Sequence, residues 1–436
     1  MTSFHFRRQF LSAVTPTSPA SAPARGSRSR AFVLGNLAVG HAITHWYNQS
    51  LLVILPFIRD SMSLTNLEFA ALATIRQVSS GVANVPAGFA IDMAKRQWGL
   101  ILTACMVVAA ISFTLVAFSP NYGVLAVVMV FVALPGTVWH MPAIAAISQR
   151  FPERRGFGLS IHGAGGNVGN FIGPLVAGAL LGIMVWQKVT LLFVVPALVV
   201  AVIVWLSLRD IGVSGVAPNE SKPLKERVHN ALRLLRQRTI LSLTLVTMLR
   251  NMGFNSLLVW LPVYLKDPVE SGGLGMSGFM VGLHTAFLTG LGVASAPVLG
   301  YLSDRFGRKI VVVPGLVITA VLAGVMGLVG AGLLLTLVVL VVGLFTYALA
   351  QILQATVLDH IDRGSEGASM GLILGSNAAI TAVSPIFAAL IVNNYGLGAV
   401  FYYNAALIGA AAVVLLFTAL RRPPAARPRH GHAAAG

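Results

Sequence analysis

Long apolar blocks separated by short polar segments run along most of the chain. Residues 101–118 and 189–208 contain no charged side chain. At about 1.5 Å per helical residue, each block crosses most or all of a ~30 Å hydrocarbon core. The pattern predicts an all-α membrane protein with twelve transmembrane helices. The predicted spans are residues 31–57, 67–91, 98–118, 123–148, 156–183, 186–208, 240–265, 278–302, 309–329, 332–358, 367–392 and 397–420.

Composition indicates the same class of protein. Apolar residues make up 56% of the chain and charged residues only 10%, with a mean hydropathy of +0.82. A typical soluble domain carries about 25% charged residues, which it needs to cover its surface. The bilayer is therefore the expected solvent. The one cysteine, Cys105, excludes an intrachain disulfide and a cysteine-based metal site.

The net charge of +17 raises the question of nucleic-acid binding, and the distribution of the 30 lysines and arginines answers it. Arg59, Lys188 and Lys266 lie on the side away from the termini, Arg76 and Arg250 lie within spans, and the rest lie on the side of the termini. This is the positive-inside pattern. We therefore expect a protein of the bacterial inner membrane with both termini in the cytoplasm. The basic charge is a topology signal that also attracts anionic lipid, and no nucleic-acid partner is expected.

A long polar stretch divides the spans into two groups of six. We predict an N-terminal half at residues 31–208, a basic cytoplasmic linker at 209–239 with an interfacial amphipathic helix, and a C-terminal half at 240–420. Residues 1–30 and 421–436 are rich in Pro, Ala and Arg and are predicted to be disordered cytoplasmic tails. Six spans, a long inner loop and six further spans are typical of a parallel-repeat transporter.

Two related motifs occupy matching inner loops of the two halves. The loop after span eight reads Gly300-Tyr-Leu-Ser-Asp304-Arg305-Phe-Gly307-Arg308-Lys309, and the loop after span two reads Gly88-Phe-Ala-Ile-Asp92-Met-Ala-Lys95-Arg96. The chain thereby resembles the major facilitator superfamily over residues 31–420. The resemblance implies a gating latch that favours the state closed to the cytoplasm, and the alternative is a short positive-inside turn. The implied gating residues are Gly88, Asp92, Arg96, Gly300, Asp304, Arg305, Gly307 and Arg308.

Span five carries a row of glycines ending in Gly169, Gly173 and Pro174. Small residues at this spacing clear a helix face for close packing, and Pro174 permits a bend. The Gly-x-x-x-Gly-Pro core also resembles the signature of exporters in the superfamily. Together with His140 beside Pro142, and His162, it is similar to the fosmidomycin-resistance branch of exporters. That branch has an acidic residue in span one, where this chain has His45.

Ionisable residues within the spans are basic or titratable to a cation. All 13 acidic residues fall near span ends or in loops, whereas arginine and histidine occur at mid-span depth. Charge inside a membrane is costly, so such residues are expected to face a cavity or a partner. The pattern predicts an electropositive cavity. Its ionisable residues are Arg76, Arg250, His41, His45, His140, His162 and His284.

Polar side chains form stripes on three of the spans. Residues at i, i+4 and i+7 share one face of a helix, and the family resemblance implies that spans one, four, seven and ten line the central cavity. The alternative is that each histidine, asparagine or glutamine contacts a neighbouring helix. The stripes are His41, His45 and Asn48; Asn251 and Asn255; and Tyr347, Gln351 and Gln354.

No catalytic constellation accompanies these residues. His41 and His45 have metal-ligand spacing, but the helix lacks the glutamate of a zinc protease and any obvious third ligand, so we predict neither an enzyme nor a metal site. The glycine-rich run of span five lacks the Lys-Ser/Thr of a phosphate loop. Nothing indicates ATP hydrolysis or a cofactor, so the expected energy source is an ion or solute gradient.

The sequence favours a monomeric secondary transporter that exports a small organic anion or anionic antimicrobial in exchange for protons. Arg76 and Arg250 supply the positive charge, and histidine carries the proton because its ordinary pKa is near 6.5. His45 is the first choice because it replaces the acidic residue of the resembled branch. The alternatives are an importer or exchanger of an inorganic oxyanion or carboxylate, and a transporter-like membrane sensor.

The first prediction concerns topology. Reporter enzymes fused after Gly436 are expected to be active only when the reporter works in the cytoplasm, because basic residues lie overwhelmingly on the side of the termini. Paired alkaline phosphatase and green fluorescent protein fusions measure this. Phosphatase activity at the C-terminal fusion would contradict the assignment.

Overall fold

The computed structural model describes residues 29–211, 237–360 and 377–420. The tails and linker predicted from the sequence lie almost wholly outside these residues, as does the start of predicted span eleven at 367–376. The first half consists of six long helices that match the predicted spans. They are α1 (Arg30–Ser61), α2 (Asn66–Met93), α3 (Trp98–Ala117), α4 (Tyr122–Arg150), α5 (Arg155–Leu181) and α6 (Trp186–Leu208).

The second half repeats this arrangement. Span eight is interrupted at Leu291 and forms two helices, and the described part of span eleven begins at Asn377. The helices are α7 (Arg238–Lys266), α8 (Gly278–Gly290), α9 (Gly292–Phe306), α10 (Arg308–Met326), α11 (Leu333–Leu358), α12 (Ser384–Tyr395) and α13 (Ala399–Phe417). Short 3-10 helices at Lys95–Gln97, Pro152–Arg154 and Val269–Ser271 occupy three connections.

Polar residues at the helix starts explain several boundaries. The side chain of Ser29 accepts a hydrogen bond from the Phe32 amide at 3.2 Å, and that of Asn121 accepts one from the Val124 amide at 3.0 Å. Each satisfies an amide that has no partner within its own helix. Gly307, between α9 and α10, has φ +105°, which glycine tolerates far better than other residues.

Nine helical segments within the described ranges are long and apolar enough to cross a membrane. The three other long helices, α1, α2 and α7, carry polar residues at mid-depth, including His41, Arg76 and Arg250. These side chains lower the hydropathy of their helices. The same residues are buried or half-buried inside the bundle, as expected for polar groups of a membrane protein.

One face of the bundle carries the start of α1 and the end of α13, and we call it the terminal face. The opposite face carries the end of α1 and the start of α2, as well as the end of α7. Among the described residues, the ion pairs of the terminal face each join residues of one half, as Arg30 with Glu153 and Arg308 with Asp359 do.

Ion pairs join the two halves at the opposite face. Arg59 of the first half donates to both carboxylate oxygens of Asp267 in the second half at 2.7 Å. Lys266 of the second half pairs with Asp60 of the first and lies 3.2 Å from Asp267. The side chains of Arg59 and Asp267 are only 12% and 8% exposed. Each half contributes one cation and one anion, and the pairs Arg59–Asp267 and Asp60–Lys266 join the halves at this face.

Hydrogen bonds between the halves extend inward from this network. Asn66 Nδ2 donates to Asn393 Oδ1 at 2.8 Å, and Thr74 Oγ1 donates to the Ala382 carbonyl at 2.9 Å. These contacts join α2 to the helical segment that contains α12. Closure therefore rests on polar contacts as well as packing.

The second prediction is that Asp267→Asn opens the opposite face. The substitution leaves two partly buried cations short of a partner, which costs about 2 kcal/mol or about thirty-fold in the conformational equilibrium. In a Cys105→Ala, Thr74→Cys background, the labelling rate of Cys at position 74 by an impermeant maleimide is expected to rise at least about tenfold. Asp210→Asn, which removes an exposed pair within one half, is the matched control. Equal labelling of the Asp267→Asn and parent proteins would show that the network does not hold the face closed.

Candidate functional site

A cleft of about 320 Å³ lies between α1, α2 and α4. It begins near the middle of the bundle and reaches the exposed residue Asn84 toward the terminal face. Seven of its ten lining residues have polar side chains. The lining residues are His45, Asn48, Arg76, Ser80, Asn84, Ala133, Gly136, Thr137, His140 and Met141.

Arg76 provides the positive charge of this cleft. Its Nη1 donates to Asn48 Oδ1 at 3.0 Å, while its buried Nε has no hydrogen-bond partner within the described ranges. No carboxylate of the described residues pairs with it. A buried guanidinium with unused donors is a ready partner for an anion, since arginine binds carboxylate and phosphate oxygens through two parallel hydrogen bonds.

Arg250 of α7 makes more contacts within the protein than Arg76 does. It is 6% exposed, donates to Asn251 Oδ1 at 2.8 Å and to the carbonyl oxygen of Thr346, and lies 4.9 Å from the Phe254 ring centroid. These contacts bind it to its own half. Arg76 is therefore the more available of the two predicted arginines.

Four of the predicted histidines lie together beside the cleft. Nε2 of His41 is 3.0 Å from Nε2 of His140, which in turn is 3.5 Å from Nε2 of His45. The His162 ring stacks on that of His41 with centroids 4.0 Å apart. We call His41, His45 and His140 the histidine cluster. The cluster joins α1 to α4, and the ring of His162 from α5 packs against it.

Each histidine of the cluster has an oxygen acceptor at its other ring nitrogen. Nδ1 of His41 donates to the His162 carbonyl at 2.7 Å, and Nδ1 of His140 donates to the Gly136 carbonyl at 2.5 Å. Nδ1 of His45 donates to Asn170 Oδ1 at 2.7 Å. Carbonyl oxygens only accept hydrogen bonds, so all three Nδ1 atoms carry the proton. The unprotonated Nε2 of His140 therefore lies next to the unprotonated Nε2 atoms of His41 and His45, at 3.0 and 3.5 Å.

The helix contacts that form the cluster follow from the sequence. His41 and His45 are four residues apart and share one face of α1. The His41 ring fits against α5 because residue 166 is glycine, where an added Cβ would lie 2.5 Å from the ring. Gly169 and Gly173 likewise contact the α1 backbone at Ala42 and Trp46. The predicted close packing of this glycine row is thus directed at α1, and α5 continues as a helix through Pro174.

Other predicted site residues lie elsewhere. His284 is fully buried in α8, where it bonds the Met280 carbonyl and Thr336 Oγ1 near the opposite face. Asn251 and Asn255 donate to Asn377 and to the Thr381 carbonyl, at 3.1 and 3.5 Å. All three contact neighbouring helices, which is the alternative foreseen for such residues, and a role in binding or coupling stays a prediction for them.

The predicted stripe on α11 divides into two parts. Tyr347 reaches the first half, because Gln49 Nε2 donates to its hydroxyl at 3.2 Å. Gln351 and Gln354 are exposed, closer to the terminal face. Tyr347 thus connects the halves at mid-depth, next to Thr346, whose carbonyl binds Arg250.

The predicted gating residues of the second half contact one another. Asp304 pairs with Arg308 at 2.5 Å, and Arg308 also pairs with Asp359 at 3.1 Å. Arg305 donates to the Tyr301 hydroxyl at 3.3 Å, and Gly300 lies in the same turn of α9. In the first half, Gly88 and Asp92 lie in α2 and Arg96 is exposed, but the Asp92 side chain lies outside the described residues. A latch between the halves stays a prediction.

Two residues of the site, Asn170 and Gln49, were not predicted from the sequence. Asn170 orients His45 and also accepts from Gln49 Nε2 at 3.2 Å. Both are amides beside predicted residues, Gly169 and Asn48, so their position on the chain was a weak signal. Their contacts join residues more than a hundred positions apart, which local spacing does not indicate.

Two known bacterial proteins are similar to this chain in sequence. The chain is 23% identical over 298 residues to the fosmidomycin resistance protein of Escherichia coli strain K12, covering 68% of this chain and 71% of that protein. It is 27% identical over 304 residues to the probable nitrate/nitrite antiporter NarK1 of Thermus thermophilus, covering 65% of this chain and 63% of that protein.

Solved structures share the fold. A bacterial homolog of the human lysosomal transporter Spinster superposes with a TM-score of 0.71 at 16% identity, covering 90% of this chain and 96% of that one. The sequence matches the Major Facilitator Superfamily over residues 37–273 and 268–435. The predicted all-α fold of twelve spans is confirmed, and the chain belongs to the Major Facilitator Superfamily.

Proposed function

We propose that this transporter is a proton-coupled exporter of a small organic anion or anionic antimicrobial. The observation that carries the proposal is the cleft that Arg76 shares with two histidines. Arg76 has no carboxylate partner among the described residues, so an anion supplies the charge that the protein does not. The fosmidomycin resistance protein fits this proposal by name. The probable nitrate/nitrite antiporter fits an anionic solute, but by name it favours the alternative of an inorganic oxyanion exchanger.

We further propose that the terminal face is cytoplasmic and the membrane is the bacterial inner membrane. The opposite face is closed by the network of Arg59, Asp60, Lys266 and Asp267, whereas the cleft reaches exposed Asn84 on the terminal side. In this orientation the protein is ready to take up a solute from the cytoplasm. Loading from inside is the step that begins export.

Protons provide the driving force in this proposal. The described acidic side chains lie near helix ends, so the histidine cluster offers the titratable groups nearest to the cleft. His45 is both a member of the cluster and a lining residue. His45 and Arg76 line the same cleft, so a proton at His45 and an anion at Arg76 would each affect the binding of the other.

The third prediction is that Arg76 selects anions. Arg76→Ala is expected to reduce uptake of anionic solutes into inside-out vesicles at least about tenfold, because a desolvated charge-assisted pair contributes several kcal/mol to binding. Arg76→Glu is expected to be harsher, since it places a negative charge in the cleft. Panels of phosphonates, carboxylates, inorganic oxyanions and lipophilic cations measure the effect.

Arg209→Ala is the matched control, because Arg209 is an exposed arginine whose pair is with its neighbour Asp210. Strong transport of lipophilic cations that is insensitive to Arg76→Ala and Arg250→Ala would overturn the anion proposal. Selective uptake of nitrate, phosphate or a simple carboxylate would favour the importer or exchanger instead. Absence of counterflow with every solute would favour a sensor.

The fourth prediction separates coupling from transport. His45→Ala is expected to abolish accumulation driven by an imposed pH gradient while leaving solute exchange at equal pH within about twofold, since the residue that carries the proton is lost and Arg76 is kept. Counterflow in proteoliposomes at equal pH is the internal control for folding. Retained pH-driven accumulation would exclude His45 as the proton carrier.

A further inference from the structure

We infer that the histidine cluster is a binding site for a divalent transition-metal ion such as Zn²⁺, ligated by Nε2 of His41, His45 and His140. The ion and the transported proton would compete for the same Nε2 atoms, and binding of the ion does not rest on the proposed transport of an anion. It also differs from the expectation based on sequence, in which no third ligand accompanied His41 and His45. The structure places that ligand on α4.

The spacing of the donor atoms suits a metal ion. The three candidate donors lie within 4.8 Å of one another, and two of their separations are 3.0 and 3.5 Å. A tetrahedral zinc ion with Zn–N bonds of 2.0–2.1 Å holds its nitrogens about 3.3–3.4 Å apart. Small movements of the rings would therefore complete a three-histidine site.

The orientation of the rings is a second, independent observation. Histidines that bind metal nearly always donate their other ring N–H to a carbonyl, carboxylate or water, which fixes the tautomer. All three members do so, through the His162 carbonyl, Asn170 Oδ1 and the Gly136 carbonyl. Asn170 Oδ1 also accepts from Gln49 Nε2 at 3.2 Å.

Convergent lone pairs require a cation between them. Three neutral imidazoles with Nδ1–H would place Nε2 lone pairs against one another, which is repulsive at 3.0 Å. One added proton bridges a single pair of nitrogens, such as His41 with His140, and leaves the third lone pair without a donor. A metal ion accepts all three lone pairs at once.

The donor set determines the class of ion. Imidazole nitrogens suit zinc, copper, iron and nickel, whereas magnesium and calcium prefer oxygen ligands. His45 and His140 also line the Arg76 cleft. A three-histidine ion keeps an open coordination position, and the cleft is the space from which water or an anionic oxygen would reach it.

The test is metal binding by the purified full-length transporter. His430 and His432, which lie outside the described residues, are replaced by glutamine throughout, and the purification tag contains no histidine. Zn²⁺ titration is expected to show one site, and His41→Gln, His45→Gln and His140→Gln are each expected to weaken it more than about 100-fold. His284→Gln, a buried histidine bonded to Thr336 away from the cluster, is the matched control and is expected to keep full affinity.

A further variant distinguishes ligation from a merely structural role. His140→Cys is expected to retain the ion, because thiolate also binds zinc, and with Co²⁺ to add a sulfur-to-metal charge-transfer band that the parent lacks. If the parent background binds no Zn²⁺, the inference is wrong. It is equally wrong if the glutamine variants keep the parent's affinity, or if His140→Cys loses the ion while remaining monodisperse.

Discussion

The close contact between α1 and α5 is the constraint on which the interior of this protein depends. Glycines at positions 166, 169 and 173 bring the α5 backbone against α1, and Gly178 on the same helix brings it against Gly282 of α8, where an added Cβ would lie 2.6 Å from the Gly282 Cα. One helix therefore positions the histidines of the first half and joins the two halves. In a membrane, where lipid is as apolar as leucine, such backbone contact replaces the hydrophobic effect as the source of helix association.

Within the described ranges, the charged side chains of the opposite face are paired with each other, whereas the charge in the cleft is unpaired. At the opposite face, Arg59 and Lys266 are matched by Asp60 and Asp267, and the network connects the halves. In the cleft, Arg76 has only the neutral acceptor Asn48 among the described residues. A matched network stabilises one conformation, whereas an unmatched charge favours a ligand. Under the proposed function, the first arrangement serves closure of the opposite face and the second serves recognition of an anion.

The predicted helices agree with the structure to within a few residues because membrane-spanning length and hydropathy are local properties. Span six, for example, was placed at 186–208 and is Trp186–Leu208. The break of span eight at Leu291 was missed. Its flanking glycines contact Phe171 of the first half and Tyr347 of α11, so the cause lies in tertiary packing. The third donor of the histidine cluster was missed for a similar reason, since His140 is 95 residues from His45 along the chain.

The shared cleft has a thermodynamic consequence for the proposed transport cycle. Because His45, His140 and Arg76 line one cleft, an anion bound at Arg76 changes the electrostatic potential at the histidines. Linkage then requires that a proton on the histidines change the affinity for the anion by the same factor as the anion changes the affinity for the proton. With an anion at Arg76 and neutral histidines, the cleft is nearer to neutrality than the empty one, which lowers the cost of enclosing it when the terminal face closes. In the proposed cycle, closure of that face separates the halves at Arg59 and Asp267, so the free energy of anion binding would oppose the ion pairs of the opposite face.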